Sequence, residues 1–457
     1  MLRATALVSA LAFASLAFAD DASETLTVEQ AVERGRKAQP AIRAAADNVE
    51  AAHQRVGEAV GGFLPSLSGT FQYQLATSNF VIPPGLARIV GPTAGPVGAC
   101  ISGAGTLVAC PARSSPGASM TAFNYFNPAL NLTGTAWDFG RTLNTVKQAG
   151  AAERGSQDDL VTTRHQVDLN VRTAFYTALA NQQLVDVAKQ QVQDMKNHLA
   201  LSQGRFEVGA GPKSDVSLAL ANEKNAEVQL FTAQNNFDVA KATLNQAMGV
   251  PTDRIDYRLV PTPLELDAPI PSVEAGTERA LKSRPDYKSA VEKVLAQERL
   301  VEAERANLYP SLGYNAQLGW ASYGTLPLIY NWQVGASLTV PIFMAGIDYH
   351  KIKEYEATLD SLIANRDTLG LQVRLDVQSA VLTALQTKAS LASAEAAVKS
   401  GDDALALAVG QYQVGVGTIV TVDDAQVTAV TARAGLVQAD YNFESALAKL
   451  RYALGED

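Results

Sequence analysis

The chain has 457 residues and a formal net charge of −9, with 46 acidic against 37 basic side chains. Hydrophobic residues make up 47% and charged residues 18%, a balance that excludes a largely disordered chain. An acidic chain without long basic runs is also a poor candidate for nucleic-acid binding. Four histidines and two cysteines leave little material for a metal site, and we expect no cofactor.

Residues 1–19 have the pattern of a signal peptide. Arg3 gives a positive start, residues 4–18 are almost wholly apolar, and Ala17-Phe18-Ala19 places small residues where a signal peptidase reads them. We predict cleavage before Asp20, with a buried N-terminal helix as the weaker alternative. Because the residue after the cleavage point is not cysteine, we do not expect a lipoprotein anchor.

After Ala19, no stretch reaches the roughly 18–20 consecutive apolar residues that a membrane-spanning helix needs. The exported protein is then either soluble or crosses a membrane as β-strands, whose signal is alternation rather than a continuous apolar run.

The sequence repeats itself. At a shift of 245 residues Pro65-Ser66-Leu67 matches Pro310-Ser311-Leu312, and at a shift of 206 Val208-Gly209-x-Gly211 matches Val414-Gly415-x-Gly417. The shifts differ by 39, the length inserted between the matched parts of the first copy. We therefore predict an internal two-fold repeat in a mainly α-helical chain with some β-strands.

Each copy has the same predicted plan of a helix, two strands, a very long helix, a tight turn and a return helix. The first repeat, 20–249, is predicted to contain helix 27–61, strands 65–81 and 120–137, loop 82–119, long helix 141–203 and return helix 214–247. The proline-rich stretch 250–271 is predicted to be a connector rather than a helix. The second repeat, 272–457, is predicted to contain helix 272–307, strands 310–322 and 329–342, long helix 346–409 and return helix 420–453.

The long helices carry a coiled-coil pattern. In the first copy, mostly apolar positions from Val167 to Leu199 alternate in steps of four and three, and the second copy repeats this from Val373 to Leu405. A polar residue recurs at the same step, Asn181 and Thr387. A helix of 63 residues would be about 95 Å long, which suits a rod or the wall of a tube.

The four strands alternate apolar and small polar residues, with aromatic side chains such as Trp320 and Trp332 on the apolar face. A soluble amphipathic sheet is the alternative interpretation. If the strands lie in a membrane, four are too few, because the open sheet edges would have unsatisfied backbone groups in hydrocarbon. Three chains would supply twelve strands and close a shared barrel.

The insert 82–119 is rich in glycine, proline and serine and is predicted to be an extracellular loop without helix or strand. It contains Cys100 and Cys110. In an exported protein a disulfide between them is the leading interpretation, and a catalytic thiol is the weaker one.

These motifs resemble the TolC-like outer-membrane efflux protein family over nearly the whole mature chain. The resemblance rests on the order and doubling of the prolines that precede strands, the strand exits and the helix–helix turns. The exits are Trp137-Asp138-Phe139-Gly140-Arg141 and Pro341-Ile342-Phe343-x-x-Gly346, and the turns are Arg205-Phe206-x-Val208-Gly209 and Gln411-Tyr412-x-Val414-Gly415.

The resemblance implies a homotrimer in the outer membrane of a Gram-negative cell. Its twelve-stranded β-barrel, four strands per chain, would continue into a long periplasmic α-helical coiled-coil barrel. The implied partners are a periplasmic adaptor (membrane fusion) protein, an inner-membrane pump that is ABC-type or proton-driven, and outer-membrane lipid. Because it lacks a lipid-anchor cysteine after the predicted cleavage point, the chain resembles the type I secretion and TolC branch more than the lipoprotein branch.

The resemblance also implies site residues at the two helix–helix turns. Tyr412 matches the aperture tyrosine, Asp424 matches an aspartate of an acidic entrance ring with Asp423 beside it, and Asp215 matches an inter-helix partner. The turn residues implied to dock an adaptor are Val208, Gly209, Val414 and Gly415. The sequence departs from the family pattern at Gly417, where an arginine is expected, and at Thr421, where another ring aspartate is expected.

A physical argument independent of the resemblance also supports an acidic ring. An acid repeated by threefold symmetry forms a ring, and like charges focused in a narrow throat favour cations. The alternative is that Asp423 and Asp424 interact with a helix dipole and that Asp215 is a capping residue.

The leading hypothesis is a passive export duct for tripartite efflux or type I secretion, without catalytic residues. A periplasmic coiled-coil adaptor or scaffold without a pore is the alternative, although it leaves the four strands unexplained. A cell-wall enzyme with a helical stalk is the third possibility, but we find no acid–base constellation for it.

Overall fold

A computed structural model describes residues 24–77, 99–101, 107–109 and 122–456, except 254–256, 262, 264, 267 and 324–326. The predicted signal peptide and most of the predicted extracellular loop lie outside the described residues. The chain divides into two compact units. The first joins the residues up to Arg43 with Thr162–Arg284 and with those from Val373 onward, and the second joins Ala44–Val161 with Pro285–Gln372.

Eight α-helices lie within the described residues, and they form two matched series. The two long helices have 67 residues each, and the two return helices have 36 residues each. The helices are α1 (Val28–Ala38), α2 (Pro40–Gly61), α3 (Arg141–Glu207), α4 (Lys213–Met248), α5 (Val273–Ser283), α6 (Pro285–Arg305), α7 (Ile347–Gln413) and α8 (Ile419–Leu454). Both long helices run four residues past their predicted ends, through Gly204 and Gly410. A single glycine costs a helix only about 1 kcal/mol, and the left-handed turn glycines Gly209 and Gly415 come later.

The described strands are β1 (Glu24–Leu26), β2 (Ser66–Thr77), β3 (Ala99–Ile101), β4 (Leu107–Ala109), β5 (Ala122–Trp137), β6 (Tyr257–Leu259), β7 (Ser311–Tyr323) and β8 (Ile329–Thr339). The prediction of strand to residue 342 was wrong, because β8 ends two residues before Pro341, which cannot donate a ladder hydrogen bond. The predicted strand 65–81 is described only to Thr77, and its last four residues lie outside the described part.

Two predicted helices are each broken in the middle. Helix 27–61 divides into α1 and α2 at Gln39, and helix 272–307 divides into α5 and α6 at Arg284, before ending at residue 305. Both residues precede a proline and have extended backbone, with ψ of 118° and 122°. A residue before proline is driven out of the helical region by the proline ring, so Pro40 and Pro285 make the single-helix predictions wrong.

The C-terminal end of each return helix lies against one of these two breaks. Gly249 caps α4 at φ 71° and Gly455 caps α8 at φ 75°. A β-carbon would lie 2.7 Å from the Cα of Gln39 at the first site and 2.8 Å from the backbone nitrogen of Arg284 at the second. Each cap therefore requires glycine for both its left-handed conformation and its close backbone contact.

Four strands form one antiparallel sheet in the order β2-β5-β7-β8. Ser66 pairs with Thr133 in the first β-hairpin, β2 with β5, and Ser311 pairs with Thr339 in the second β-hairpin, β7 with β8. These pairs differ by the sequence shifts of 245 and 206. In the described part of the chain, β2 and β8 each pair along one side only, which leaves two open sheet edges.

The predicted coiled-coil pattern contributes buried positions in the first unit. Val171 of α3 and Val377 of α7 occupy equivalent positions and are fully buried. A β-carbon on Gly35 of α1 would lie 2.9 Å from Val171 Cγ2, and one on Gly276 of α5 would lie 3.0 Å from Val377 Cγ1. Small residues therefore let the short helices approach the long ones closely.

Two segments predicted as irregular contain short strands. In the connector 250–271, β6 pairs in parallel with β1, and in the insert 82–119, β3 pairs with β4. Three-residue strands are too short to show a periodic pattern, so no alternation of residues predicts them. Cys100 lies in β3, whereas Cys110 lies outside the described residues, and the disulfide stays a prediction.

Over the described residues, none of the helices combines the length and apolar character needed to span a membrane.

Candidate functional site at the two helix–helix turns

Two tight turns join each long helix to its return helix. Gly209 has φ 75° in the first turn and Gly415 has φ 82° in the second, which confirms the predicted turn positions. The preceding side chains, Val208 and Val414, are 78% and 76% exposed. Each turn therefore presents an apolar side chain to solvent beside a glycine that reverses the chain.

Tyr412 connects the two turns within one chain. Its side chain is only 2% exposed and packs with Ile419 and Val422 of α8. The guanidinium of Arg205, on α3, lies 4.7 Å from the centre of the Tyr412 ring and donates a hydrogen bond to the Tyr412 carbonyl oxygen. Arg205 also donates to the Ala210 carbonyl oxygen at 3.1 Å, so one side chain is hydrogen-bonded to both turns.

Asp215 accepts the hydroxyl hydrogen bond of Tyr412 at 3.3 Å. Ser202 Oγ lies 3.4 Å from the same hydroxyl oxygen. Asp215 lies in the first turn of α4, but the N-cap of that helix is Pro212 and has no side-chain hydrogen bond. Asp215 therefore makes no capping hydrogen bond, and its carboxylate bonds instead to Tyr412 of α7. Its place in the first turn of α4 still suits the helix dipole.

Asp423 lies at the contact between the return helices. Its Oδ2 accepts a hydrogen bond from Asn222 Nδ2 of α4 at 2.8 Å. Burial raises the pKa of Asp423, although the bond from Asn222 and the nearby His198 oppose this shift. Burial also lowers the pKa of His198, against the opposing charges of Asp194 and Asp423.

Asp424 has a different environment from its neighbour. Its side chain is exposed, and its backbone carbonyl accepts a hydrogen bond from Thr428 Oγ1 at 2.9 Å. Both aspartates follow the first turn of α8, which starts at Ile419 and contains no acid. The dipole alternative therefore loses its main geometric support, because the dipole effect falls off within the first turn.

The two departures from the family pattern have local explanations. A β-carbon at Gly417 would lie 3.1 Å from the backbone nitrogen of Tyr412, so the second turn folds closely onto that residue. Thr421 belongs to the cap of α8, with its amide donating to Thr418 Oγ1 at 3.3 Å. The arginine that contacts the second turn is thus Arg205, which lies in the first helical hairpin, α3 with α4.

The structure brings Asp215 and Tyr412 together and places Asp423 on a neighbouring contact, while Asp424 faces solvent. Sequence reasoning missed Arg205, Ser202 and Asn222. Arg205 was visible as a basic residue directly before the first turn, but only the folded chain shows that it lies against the second.

The fold of this chain is shared with solved channel structures. The chain is similar to the solved structure of the CmeC outer membrane channel of Campylobacter jejuni, with a TM-score of 0.74 and 19% identity over 94% of this chain and 85% of that one. This likeness establishes the fold of an outer-membrane channel.

Sequence comparison then gives the family. The chain belongs to the outer membrane efflux protein family, whose sequence model matches residues 32–250 and 277–456. It is an outer-membrane export duct by family, which confirms the leading hypothesis over the adaptor without a pore.

Three relatives illustrate this membership. The probable efflux pump outer membrane protein TtgC of Pseudomonas putida is 26% identical over 74% of this chain and 70% of its own length. The alkaline protease secretion protein AprF of Pseudomonas aeruginosa is 26% identical over 63% and 61%. The outer membrane protein TolC of Escherichia coli is 25% identical over 73% and 70%.

Proposed function

We propose that this protein is a homotrimeric duct that passively conducts substrates across the outer membrane. In this proposal the substrates come from an inner-membrane pump through a periplasmic adaptor. Each chain contributes four strands to a twelve-stranded barrel, and its long helices line a periplasmic passage. The signal peptide 1–19 directs export from the cytoplasm.

The observation that carries this proposal is the open four-stranded sheet. Its apolar side chains are exposed, including Leu67, Phe71, Trp332 and Val334, which are each at least 70% exposed. Its two edges, β2 and β8, are unpaired within the described residues. In lipid such side chains are favourable, whereas open edges are not, so further copies of the sheet must close it.

The internal duplication supports a closed ring. The residues with positive φ in the first repeat recur 206 positions later in the second: Phe139 with Ala345, Gly140 with Gly346, Gly209 with Gly415 and Gly249 with Gly455. A chain built from two similar units has pseudo-equivalent sides, so three chains arrange six similar units around one axis.

The turns form the constricted end of the duct in this proposal. Asp423 and Asp424 repeat around the threefold axis as acidic rings, and the contacts of Tyr412 with Arg205 and Asp215 hold neighbouring hairpins together. The exposed turn residues Val208, Gly209, Val414 and Gly415 supply the adaptor-docking surface.

Cargo choice falls to the pump and adaptor. Relatives of equal identity are named for an efflux pump and for alkaline protease secretion. Nothing in the turn contacts selects one cargo class, so capture of the adaptor and pump from membranes identifies the system.

Recording from a planar bilayer tests the duct directly. We expect the detergent-purified protein to have the mass of three chains and to give a small resting conductance that divalent cations block. A folded monomer that is soluble without detergent and does not conduct would reject the proposal.

The acidic ring has its own test. Asp423→Ala combined with Asp424→Ala should weaken block by divalent cations, because two rings of negative charge are lost. Asp238→Ala, an exposed acid farther along α4, is the control and should leave the block unchanged. Equal block in all three proteins would remove these aspartates from the constriction.

A further inference from the structure

A cleft of about 810 Å³ lies between α3, α7 and α8. Its lining residues fall at 183–201, 405–413 and 426–437, which all belong to the first compact unit. The aspartates assigned to the acidic rings, Asp423 and Asp424, are not among them. The cleft is therefore separate from the proposed rings, and its chemistry has to be explained on its own.

Two carboxylates give the cleft negative charge. Asp186 and Asp194 both lie on α3 and line the cleft. They are eight residues apart, which is about 12 Å along a helix. Arg433 also lines the cleft, but its guanidinium bonds to Asp402 of α7 at 2.8 Å. Burial lowers the pKa of His198, so this ring adds no positive charge near pH 7.

Both carboxylates remain open to a further cation. Asp186 is paired with Lys189 at 3.1 Å, but both side chains are more than half exposed, and such surface pairs contribute little. Asp194 accepts hydrogen bonds from the amides of Gln190 at 2.8 Å and Gln426 at 3.3 Å. Arg433 stays 3.8 Å from Asp194, because Asp402 holds its guanidinium.

The wall of the cleft also contains two buried polar atoms without a hydrogen-bond partner in the described part of the chain. They are Nδ1 of His198 and Oε1 of Gln426. His198 is 8% exposed and Gln426 is 2% exposed, and both residues line the cleft. Burying an acceptor without a donor is unfavourable, so a molecule with N–H donors in the cleft would supply what Gln426 lacks.

The second repeat shows that the fold does not require these polar groups. At the shift of 206, the four polar positions of the cleft correspond to small or apolar residues. Asp186, Asp194, His198 and Gln426 correspond to Ala392, Ser400, Ala404 and Leu220. The second helical hairpin has the same backbone plan without them, so their presence in the cleft calls for a reason other than folding.

An organic cation fits this lining better than a metal ion. Over the described residues, no three histidine, cysteine, aspartate or glutamate side chains come together as metal ligands. Apolar side chains, among them Val187, Leu201 and Val437, make up part of the wall. Such a wall suits methylene groups, whereas separated carboxylates suit two separated ammonium groups.

We propose that this cleft binds a linear aliphatic diamine or polyamine, with one terminal ammonium group at Asp186 and the other at Asp194. An ammonium group has three N–H donors, enough to bond the Asp194 carboxylate and the free Gln426 oxygen together. The methylene chain lies against the apolar part of the wall.

The spacing of the carboxylates sets the length of the ligand. Nine bonds separate the terminal nitrogens of 1,8-diaminooctane and of spermidine. Three residues of extended protein chain also contain nine bonds and span about 10–11 Å, close to the separation of Asp186 and Asp194. The five bonds of 1,4-diaminobutane span only about 6 Å by the same rule, so the shorter diamine reaches one carboxylate at a time.

Titration calorimetry on the full-length protein in detergent tests this length rule. We expect 1,8-diaminooctane to bind at least about tenfold more tightly than 1,4-diaminobutane, because the second ammonium group binds within the same complex. Equal affinity for the two diamines, or no saturable binding of the longer one, would overturn the proposal.

Charge-removing variants test the two carboxylates. Asp186→Asn and Asp194→Asn should each weaken binding of 1,8-diaminooctane about tenfold, down to the affinity of the shorter diamine. Asp403→Asn is the matched control, because it removes an exposed acid of α7 that does not line the cleft. An equal loss in the control would show that the protein attracts the diamine by its overall charge, which contradicts a site in the cleft.

The acidic rings have to be separated from this site, since they also attract cations. Asp423→Ala combined with Asp424→Ala should leave the affinity for 1,8-diaminooctane unchanged, and Asp186→Asn should leave block by divalent cations unchanged. Loss of diamine binding in the ring variant would overturn the cleft site while leaving the duct proposal standing.

Thermal unfolding gives a second readout and shows whether each variant is folded. A ligand that binds only the folded state raises the midpoint of unfolding. We therefore expect 1,8-diaminooctane to raise the midpoint of the parent protein and of Asp403→Asn, but not that of Asp186→Asn, whose substituted side chain is exposed. An equal rise in all three proteins would overturn the assignment of Asp186.

Discussion

The first hairpin, α3 with α4, and the second, α7 with α8, have one backbone plan and different side chains. Their helices are equal in length, and their turns have glycine in the left-handed conformation 206 residues apart. Yet Phe206 is 45% exposed in the first turn, whereas its counterpart Tyr412 is 2% exposed in the second. The backbone is thus specified twice, while the side chains make the two halves unequal.

Charge contributes to the difference. Asp440 of α8 lies near Glu395 and Glu444, and their counterparts in the first hairpin are Gln234, Lys189 and Asp238. At the turns, Arg205 fastens both hairpins, whereas its counterpart Gln411 is exposed. Glycine positions thus preserve the duplicated backbone, while polar substitutions give its halves different contacts.

The largest effect should come from the glycine that caps the return helix in each helical hairpin. Gly249→Ala and Gly455→Ala each force a β-carbon to within 3 Å of the neighbouring backbone at positive φ. We expect each to cost about 2 kcal/mol, seen as a lower midpoint of thermal unfolding in detergent. Similar losses would support equivalence of the halves, and a loss in only one would break it.

A glycine inside a helix supplies the control for these variants. Gly435 lies within α8, and a β-carbon there would meet nothing within 4 Å. Gly435→Ala should therefore be neutral or stabilise the helix by up to about 1 kcal/mol, because alanine is the better helix former. Destabilisation here would show that the cap variants report a general intolerance of alanine.

The next largest effect should distinguish the first helical hairpin from the second. Arg205→Ala removes a ring contact and two hydrogen bonds to carbonyl oxygens, and we expect a local cost of about 1–2 kcal/mol. Amide hydrogen exchange at both turns should then accelerate roughly 5–30-fold. Gln411→Ala, at the equivalent position, should leave exchange unchanged, and equal acceleration would contradict the assigned role of Arg205.

Much of the fold was predictable because it depends on local patterns. Repeated glycines and the coiled-coil periodicity located both turns and all four long elements of the hairpins. The breaks at Gln39 and Arg284 also follow from local sequence, because each residue precedes a proline that drives it out of the helical region. The parallel pairing of β1 with β6 joins residues more than two hundred positions apart, so no local pattern could reveal it.

The site was only partly predictable for a similar reason. Tyr412 and Asp215 were identified by resemblance, and their contact appears in the structure. The burial of Asp423 and the exposure of Asp424 depend on which face of α8 meets α4, and adjacent residues on a helix point in different directions. Arg205 acts across the two hairpins, and its partner is fixed by tertiary packing alone.

The acidic group of the second hairpin predicts a pH effect. Burial, with smaller contributions from Glu395 and Glu444, raises the pKa of Asp440 from 3.8 to about 6. The folded state therefore binds a proton more tightly than the unfolded state, so stability falls as pH rises between these two values. Glu444, whose pKa is also raised by burial, adds to the same decline.

Asp440→Asn should remove the Asp440 part of that decline. At about pH 7.5 we expect the variant to be more stable by about 1 kcal/mol, after allowing for solvent screening, and at about pH 4 the two proteins should unfold together. Thermal unfolding at both pH values measures this difference. Gln234→Asn, at the equivalent position of the first hairpin, should give no pH-dependent change.

The smallest effect should come from the hydroxyl of Tyr412. Tyr412→Phe keeps the buried ring and its contact with Arg205, but it removes the hydrogen bond to Asp215. We expect a local cost of about 0.5–1.5 kcal/mol, because one hydrogen bond is lost and the Asp215 carboxylate can still meet water. Exchange at the start of α4 should accelerate, while that at the Ala210 turn should not, since Arg205 still bonds there. Acceleration confined to the second turn would mean that the hydroxyl does not connect the two hairpins, and that the packed ring alone distinguishes Tyr412 from Phe206.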